Sequence, residues 1–151
     1  MKKVKQIIGR FEMIDLPELK LSRVKAKIDT GAYGNSMHCS EMEEVEVDGK
    51  KMLRVVPLQR KKDKHLRESF YFEFVREKSV KSSSGETENR PVIKTRLRIF
   101  DREEWVEFSL TDRSNMKFPI LLGRTFLKGK YLVDVSKSNL SLKQHKNQIH
   151  A

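Results

Sequence analysis

The sequence predicts an all-β fold, a barrel or sandwich of short strands, on three observations. Apolar residues recur at period two in several separate segments, and turn-forming residues punctuate those segments. Only two places look helical: residues 124–127, after Gly123, suited to one short turn, and the polar end from Leu140 onward.

In chain order, the first strand is the run Ala26-Lys27-Ile28, which ends in Asp29. Residues 45–55 read as a hairpin turning at Asp48-Gly49, a dipeptide that takes positive φ at little cost. Phe70, Phe72 and Phe74 then fall on one face of a strand over residues 70–75. Residues 78–91, rich in Ser and Gly, read as a loop. Residues 92–99 end in an alternation of apolar with basic, a polar turn is expected at Asp101-Arg102-Glu103-Glu104, and residues 105–110 alternate again. That makes a second hairpin with one wet and one dry face, in which Trp105 is assigned to the core. A last strand is expected over residues 131–135. The polar end from Leu140, above all residues 143–151, is expected to fray.

Length and composition bound the rest. At 151 residues the chain has room for a single domain, residues 1–151, with a real core. No stretch approaches the roughly 18 apolar residues of a membrane helix. Charged residues interrupt the opening before a signal-peptide core can form, so a cytoplasmic location without a membrane partner is expected. Cys39 is the single cysteine, which excludes an intrachain disulfide and a CxxC pair; it is expected to pack as a small, semi-buried hydrophobe. Lys and Arg number 32 against 21 Asp and Glu, a net charge of +11. The basic clusters at 60–64 and 143–146 lack the interleaved aromatics of a stacking platform. A solvated surface or attraction to acidic substrates and partners is therefore preferred to nucleic-acid binding.

Two motifs carry chemistry. In Ala26-Lys27-Ile28-Asp29-Thr30-Gly31-Ala32, a strand delivers a carboxylate into a turn. Thr30 can hydrogen-bond the surrounding backbone, and Gly31 admits a neighbour where a Cβ would clash. By itself that tripeptide is usually an ordinary turn. Later in the chain, Phe118-Pro119-Ile120-Leu121-Leu122-Gly123-Arg124-Thr125-Phe126-Leu127 joins an apolar strand, a glycine, an arginine and an apolar helical turn. Together the two motifs resemble the retropepsin family of one-domain aspartic proteases. The resemblance implies a closed β-barrel in which the apolar strand, with Leu122 and Gly123, packs beside the Asp-Thr-Gly loop and Arg124 braces it.

Over nearly its full length the chain also resembles the bacterial family known as RimK-associated or ATP-dependent zinc protease proteins. The carrying blocks run from residues 26–32 through Met37-His38, Val80-Lys81-Ser82-Ser83-Ser84-Gly85, Glu88-Asn89-Arg90-Pro91-Val92-Ile93, Leu110-Thr111-Asp112-Arg113 and residues 116–124 to Val133-Asp134-Val135-Ser136-Lys137-Ser138. One departure follows Ala32, where Tyr33-Gly34-Asn35-Ser36 stands in place of an arginine-containing stretch.

The resemblance implies an aspartic endopeptidase with Asp29, Thr30 and Gly31 as its catalytic turn. The chemistry needs two carboxylates sharing a proton, and this chain has one Asp-Thr-Gly; Asp112 and Asp134 stand in other contexts. The second Asp29 would come from a homodimer with the site on its two-fold axis. Ala32 would line the substrate, and a flap would come from Ser82, Ser83, Ser84 and Gly85 in preference to the Asp48-Gly49 hairpin. Arg90 and Arg113 suit either a substrate carboxylate or a structural ion pair, and Asp134 either a site or a turn. No cofactor is expected. His38, His65, His145 and His150 form no HExxH metal motif, and no phosphate-binding GxxxxGK[ST] loop occurs, so the zinc and ATP of the family label find no support. His38 is expected to be structural or pocket-lining. The rival reading is a non-catalytic peptide-binding or regulatory module working beside a RimK-like ligase.

Overall fold

A computed structural model of the chain describes residues 4–57, 68–81, 84–112 and 118–143. Its strands are β1 (Gln6–Ile8), β2 (Phe11–Leu16), β3 (Leu21–Ile28), β4 (Ser36–Val47), β5 (Lys50–Pro57), β6 (Phe70–Glu73), β7 (Arg76–Lys81), β8 (Thr87–Ile99), β9 (Arg102–Thr111), β10 (Ile120–Leu122) and β11 (Tyr131–Val133). A 3-10 turn, Pro17–Leu19, joins β2 to β3, and one short helix, α1 (Arg124–Leu127), follows Gly123. The all-β class read from periodicity holds, including the position of that helix. The elements divide between two compact units, with β8 and β9 contributing residues to both.

The first unit takes residues 1–35, 95–106 and 118–151. In it β3 alternates as an amphipathic strand should: Val24, Ala26 and Ile28 are buried while Arg23, Lys25 and Lys27 are exposed. It pairs antiparallel with β2, Phe11 opposite Lys27 and Met13 opposite Lys25. On its other side it pairs parallel with β10, Leu121 opposite Lys27 and Leu122 opposite Ile28. The buried face of β2 is Glu12, Ile14 and Leu16. A buried carboxylate survives only with partners, and Glu12 has three. One oxygen accepts the Gly9 N–H at 2.8 Å; the other accepts the Ser141 N–H at 2.9 Å and the Ser141 hydroxyl at 3.0 Å. The expected fraying from Leu140 is therefore corrected in part. Residues 140–143 form a helical turn anchored by buried Ser141, and residues 144–151 lie outside the described residues. β1 and β11 pair in parallel, Ile7 opposite Leu132.

The second unit takes residues 36–94 and 107–117. β4 and β5 form the expected hairpin, with Asp48 and Gly49 both at positive φ, 52° and 78°. β6 extends it, Leu53 opposite Phe72, and stops at Glu73 with half-buried Phe74 just beyond. Residues 36–38 of β4 also pair in parallel with β9, Met37 opposite Leu110. There Met37, His38 and Cys39 are buried in succession: neighbouring side chains leave opposite faces, and both faces are covered. Cys39 is fully buried rather than semi-buried. Burial first, then the negative charge of Asp112, pushes its thiol up to about 12.

Four expectations fail. Residues 78–91 are largely strand: β7 pairs with β8 from Lys81 opposite Thr87 to Arg76 opposite Val92. Most of this ribbon's side chains are exposed or only half-buried, so it has no apolar alternation to read. The turn between β8 and β9 is Phe100-Asp101, shorter than the four polar residues suggested, with Phe100 at φ 55°. Trp105 is 59% exposed. The same alternation that buries Val106 and Phe108 sends Trp105 out with Glu107, where the Arg96 guanidinium lies 5.8 Å from its ring. Finally, β11 ends at Val133, before Val135. No helix among the described residues is long and apolar enough to cross a membrane.

Candidate active site

The Asp29 turn belongs to the first unit and is built where β3 and β10 end side by side. The Asp29 N–H donates to the Leu122 carbonyl at 2.9 Å, extending the parallel ladder by one rung. The chain then reverses: the Ala32 N–H donates to the Asp29 carbonyl at 3.2 Å. Within this turn one Asp29 carboxylate oxygen accepts the Gly31 N–H at 2.9 Å, the local bond by which aspartate stabilises a turn. A Cβ on Gly31 would lie 3.2 Å from that oxygen. Within the chain, then, the glycine makes room for the Asp29 carboxylate itself. Asp29 is half-buried, and Thr30 and Gly31 are exposed.

The second motif latches the turn from behind. The first N–H groups of a helix have no partner within it, and here they find the loop. Arg124 N–H donates to Ala32 carbonyl at 2.8 Å, and Thr125 N–H to Tyr33 carbonyl at 2.9 Å. The Arg124 side chain adds a bond from Nη1 to the Thr30 carbonyl at 3.0 Å. It is thus through its carbonyl that Thr30 engages the brace. Gly123 is required for closeness: a Cβ there would meet the Gly34 oxygen at 2.3 Å and the Ala32 oxygen at 2.7 Å. The structure brings Asp29, Thr30, Gly31, Ala32, Leu122, Gly123 and Arg124 together as one constellation.

Sequence reasoning missed Asn35. It is 7% exposed, and its side-chain oxygen accepts the Gly123 N–H at 2.9 Å, joining the two motifs. The departure after Ala32 also has a visible consequence: Tyr33, 68% exposed, lies under the Arg124 guanidinium, ring centre to Cζ 5.9 Å. The signal available was the Gly34-Asn35 pair, a turn former that was read only as a mismatch.

The remaining candidates fall elsewhere. Ser84 and Gly85 lie at the tip between β7 and β8 in the second unit, exposed, with Gly85 at φ 88°; Ser82 and Ser83 lie outside the described residues. Arg90 is 8% exposed and bonded to Glu88 at 3.3 Å, the structural ion pair of its two readings; Arg113 lies outside the described residues. Asp134 fixes a turn, accepting the Ser136 N–H at 3.0 Å and the Ser136 hydroxyl at 2.6 Å, and those bonds hold its carboxyl below the ordinary range. Zinc does not fit the described donors. His38, buried in β4, is the one histidine among them, and no three His, Cys, Asp or Glu side chains gather there as ligands would. His65, His145 and His150 lie outside the described residues.

An all-β chain with an Asp-Thr-Gly turn at a strand end, latched by a Gly-Arg that opens a short helix, defines the retropepsin-like class. The chain belongs to the RimB-like family, described as the retropepsin-like aspartic endopeptidase RimB, whose model matches residues 7–144. It is similar to a protein named probable alpha-L-glutamate ligase from Parasynechococcus marenigrum, 35% identical over 139 residues, 89% of this chain and 29% of that protein. A protein of the same name from Shewanella pealeana is 34% identical over 137 residues, with the same coverage. The chain thus spans less than a third of the length of these curated relatives. Among solved structures, a Legionella pneumophila protein of unknown function superposes with a TM-score of 0.73 at 27% identity, covering 91% of this chain and 99% of that one.

Proposed function

We propose that the chain is an aspartic endopeptidase that hydrolyses peptide bonds at a dyad formed by Asp29 from each of two copies. The observation that carries this reading is the Asp29 carboxylate itself, fixed at a strand end by the Gly31 N–H and by the Gly123–Arg124 latch. Preorganisation of that kind is what a reacting group needs. Two such carboxylates facing across a symmetry axis cannot both ionise, so they share one proton. The ionised member takes a proton from water as it attacks the carbonyl carbon, and the protonated member donates to the carbonyl oxygen. Collapse of the tetrahedral species then expels the amine, which takes up a proton. The exposed tip of the β7–β8 ribbon, at Ser84 and Gly85, is the proposed flap.

A second reading rests on the relatives' names and lengths. Where a domain like this one shares a polypeptide with a glutamate ligase, it can serve that ligase by holding peptides without cutting them. Either role suits a partnership with a RimK-like ligase in the cytosol, on peptides carrying α-linked glutamate. Asp29→Asn separates the two. It preserves shape and the oxygen that accepts the Gly31 N–H, and it is expected to abolish cleavage while the far-ultraviolet circular dichroism and melting curve persist. Tight inhibition of the unaltered protein by a statine-type peptide, a mimic of the tetrahedral species, is expected alongside. Undiminished cleavage by the Asn variant would remove the dyad from consideration.

A further inference from the structure

We infer that Glu12 is a positioning residue for Asp29, acting through a C-terminal strap, residues 134–141, that holds the end of β3 on the side away from β10. The inference rests on the proteolytic reading of Asp29 and adds to it a second brace, separate from the Gly123–Arg124 latch.

β3 ends between two rungs that leave opposite edges. The Asp29 N–H donates to the Leu122 carbonyl of β10 at 2.9 Å, and the Ile28 N–H donates the other way, to the Arg10 carbonyl at 2.9 Å. Arg10 lies in the bend between β1 and β2, so its hold on β3 is only as firm as that bend. The strap supplies the firmness by running beside residues 8–13. The Asp134 N–H donates to the Ile8 carbonyl at 2.9 Å, the Arg10 N–H to the Lys137 carbonyl at 2.8 Å, and the Asn139 N–H to the Phe11 carbonyl at 2.9 Å. Arg10 is thus bonded through its N–H to the strap and through its carbonyl to the strand that carries Asp29. Gly9 permits the approach: a Cβ there would meet the Lys137 oxygen at 2.5 Å and the Ser138 Cα at 2.8 Å.

Glu12 closes this structure from the inside. It is fully buried, and its two oxygens serve opposite partners: the Gly9 N–H of the bend at 2.8 Å, and the N–H and hydroxyl of Ser141 at the strap's far end, at 2.9 and 3.0 Å. An apolar side chain here would pack as its face-mates Ile14 and Leu16 do, but would leave the Gly9 and Ser141 N–H groups without their acceptor. A carboxylate accepts at both oxygens, and bonds to a charged acceptor are about twice as strong as neutral ones. Glutamine accepts at one oxygen only and turns an amide donor toward the other donors. With the strap loosened, Arg10 no longer fixes the Ile28 rung, and the strand end keeps only its β10 side. A reacting carboxyl tolerates a displacement of about 0.5 Å, so a brace on one edge alone costs rate before it costs the fold.

The test compares Glu12→Gln and Ser141→Ala with Val55→Ala, a truncation of a fully buried side chain in the second unit, all at a temperature where circular dichroism finds them folded. Glu12→Gln is expected to lower kcat about tenfold at unchanged KM, because Asp29 shifts while no substrate contact is removed. In the same protein without substrate, the ratio of Ile28 to Asp29 amide hydrogen exchange is expected to rise about tenfold, since only the Ile28 rung depends on the strap. Ser141→Ala is expected to move both readouts the same way by less, and it decides by them if Glu12→Gln does not fold. Val55→Ala is expected to lower the melting temperature while leaving kcat and the exchange ratio at the parent's values. An unchanged ratio, an unchanged kcat, or an equal fall in kcat with Val55→Ala at the same loss of melting temperature would overturn the brace. A parent protein that cleaves no peptide would instead remove the endopeptidase reading, and the exchange ratio would then decide the brace on its own.

Discussion

A methyl group added at Gly123 would sit 2.3 Å from the Gly34 carbonyl oxygen, closer than any real contact. The backbone there is extended, φ −102° and ψ −166°, so alanine is excluded by space and not by conformation. The obstacles are backbone oxygens of the Asp29 loop, which cannot swing aside as a side chain can. Gly123→Ala is therefore expected to cost about 1–3 kcal/mol, the range for overpacking. It should do so by pushing the loop away from α1 and breaking the Arg124-to-Ala32 and Thr125-to-Tyr33 bonds. Denaturant unfolding measures the stability loss, and under the proposed function peptide hydrolysis should fall further than the folded fraction does. A variant as stable and as active as the parent would mean that the loop yields freely. At this scale the sequence was largely legible: Asp29, Gly31, Gly123 and Arg124 are unusual residue types in a fixed order. Asn35 was not, because an asparagine that binds a backbone N–H 88 residues away leaves no local pattern.

Between residue and molecule, legibility depended on whether an element has one wet and one dry face. β5, β9 and α1 follow their hydropathy and were read. β2 was missed because its buried face begins with Glu12 while Phe11 and Met13 stay half-buried, so the pattern at the start of the strand runs opposite to burial. Only the distant Ser141 and Gly9 explain how that glutamate survives. β7 was read as loop because neither of its faces meets a core. The turn after β11 supplies a prediction at the same scale. Ser136 holds the Asp134 carboxyl below its ordinary 3.8 in the folded chain, through its hydroxyl first and its N–H second. A carboxyl depressed in the folded state contributes stability above its unfolded value and loses it as pH falls through the folded one. Asp134→Asn should thus lower the melting temperature at pH 6 and match the parent once both are acidified well below 3.8. A difference that persists unchanged at low pH would show that geometry, not charge, holds the turn.

For the whole molecule the decisive quantity, under the proposed mechanism, is how activity depends on a second copy. One chain offers one Asp-Thr-Gly, and Asp134, the other carboxylate near the chain's end, is committed to its own turn. A mechanism that needs two facing carboxylates then makes the reacting species bimolecular in this chain. Mixing the unaltered protein with the Asp29→Asn variant at fixed total concentration probes this directly. With random pairing, only dimers carrying two Asp29 residues react, so activity should follow the square of the unaltered fraction, about one quarter at an equal mixture. Dilution should lower specific activity in parallel, because association follows mass action. Activity that falls in simple proportion to the unaltered fraction, and that is indifferent to dilution, would mean each chain works alone. The second carboxylate would then have to lie within the same chain, and the two-fold site would be replaced rather than adjusted.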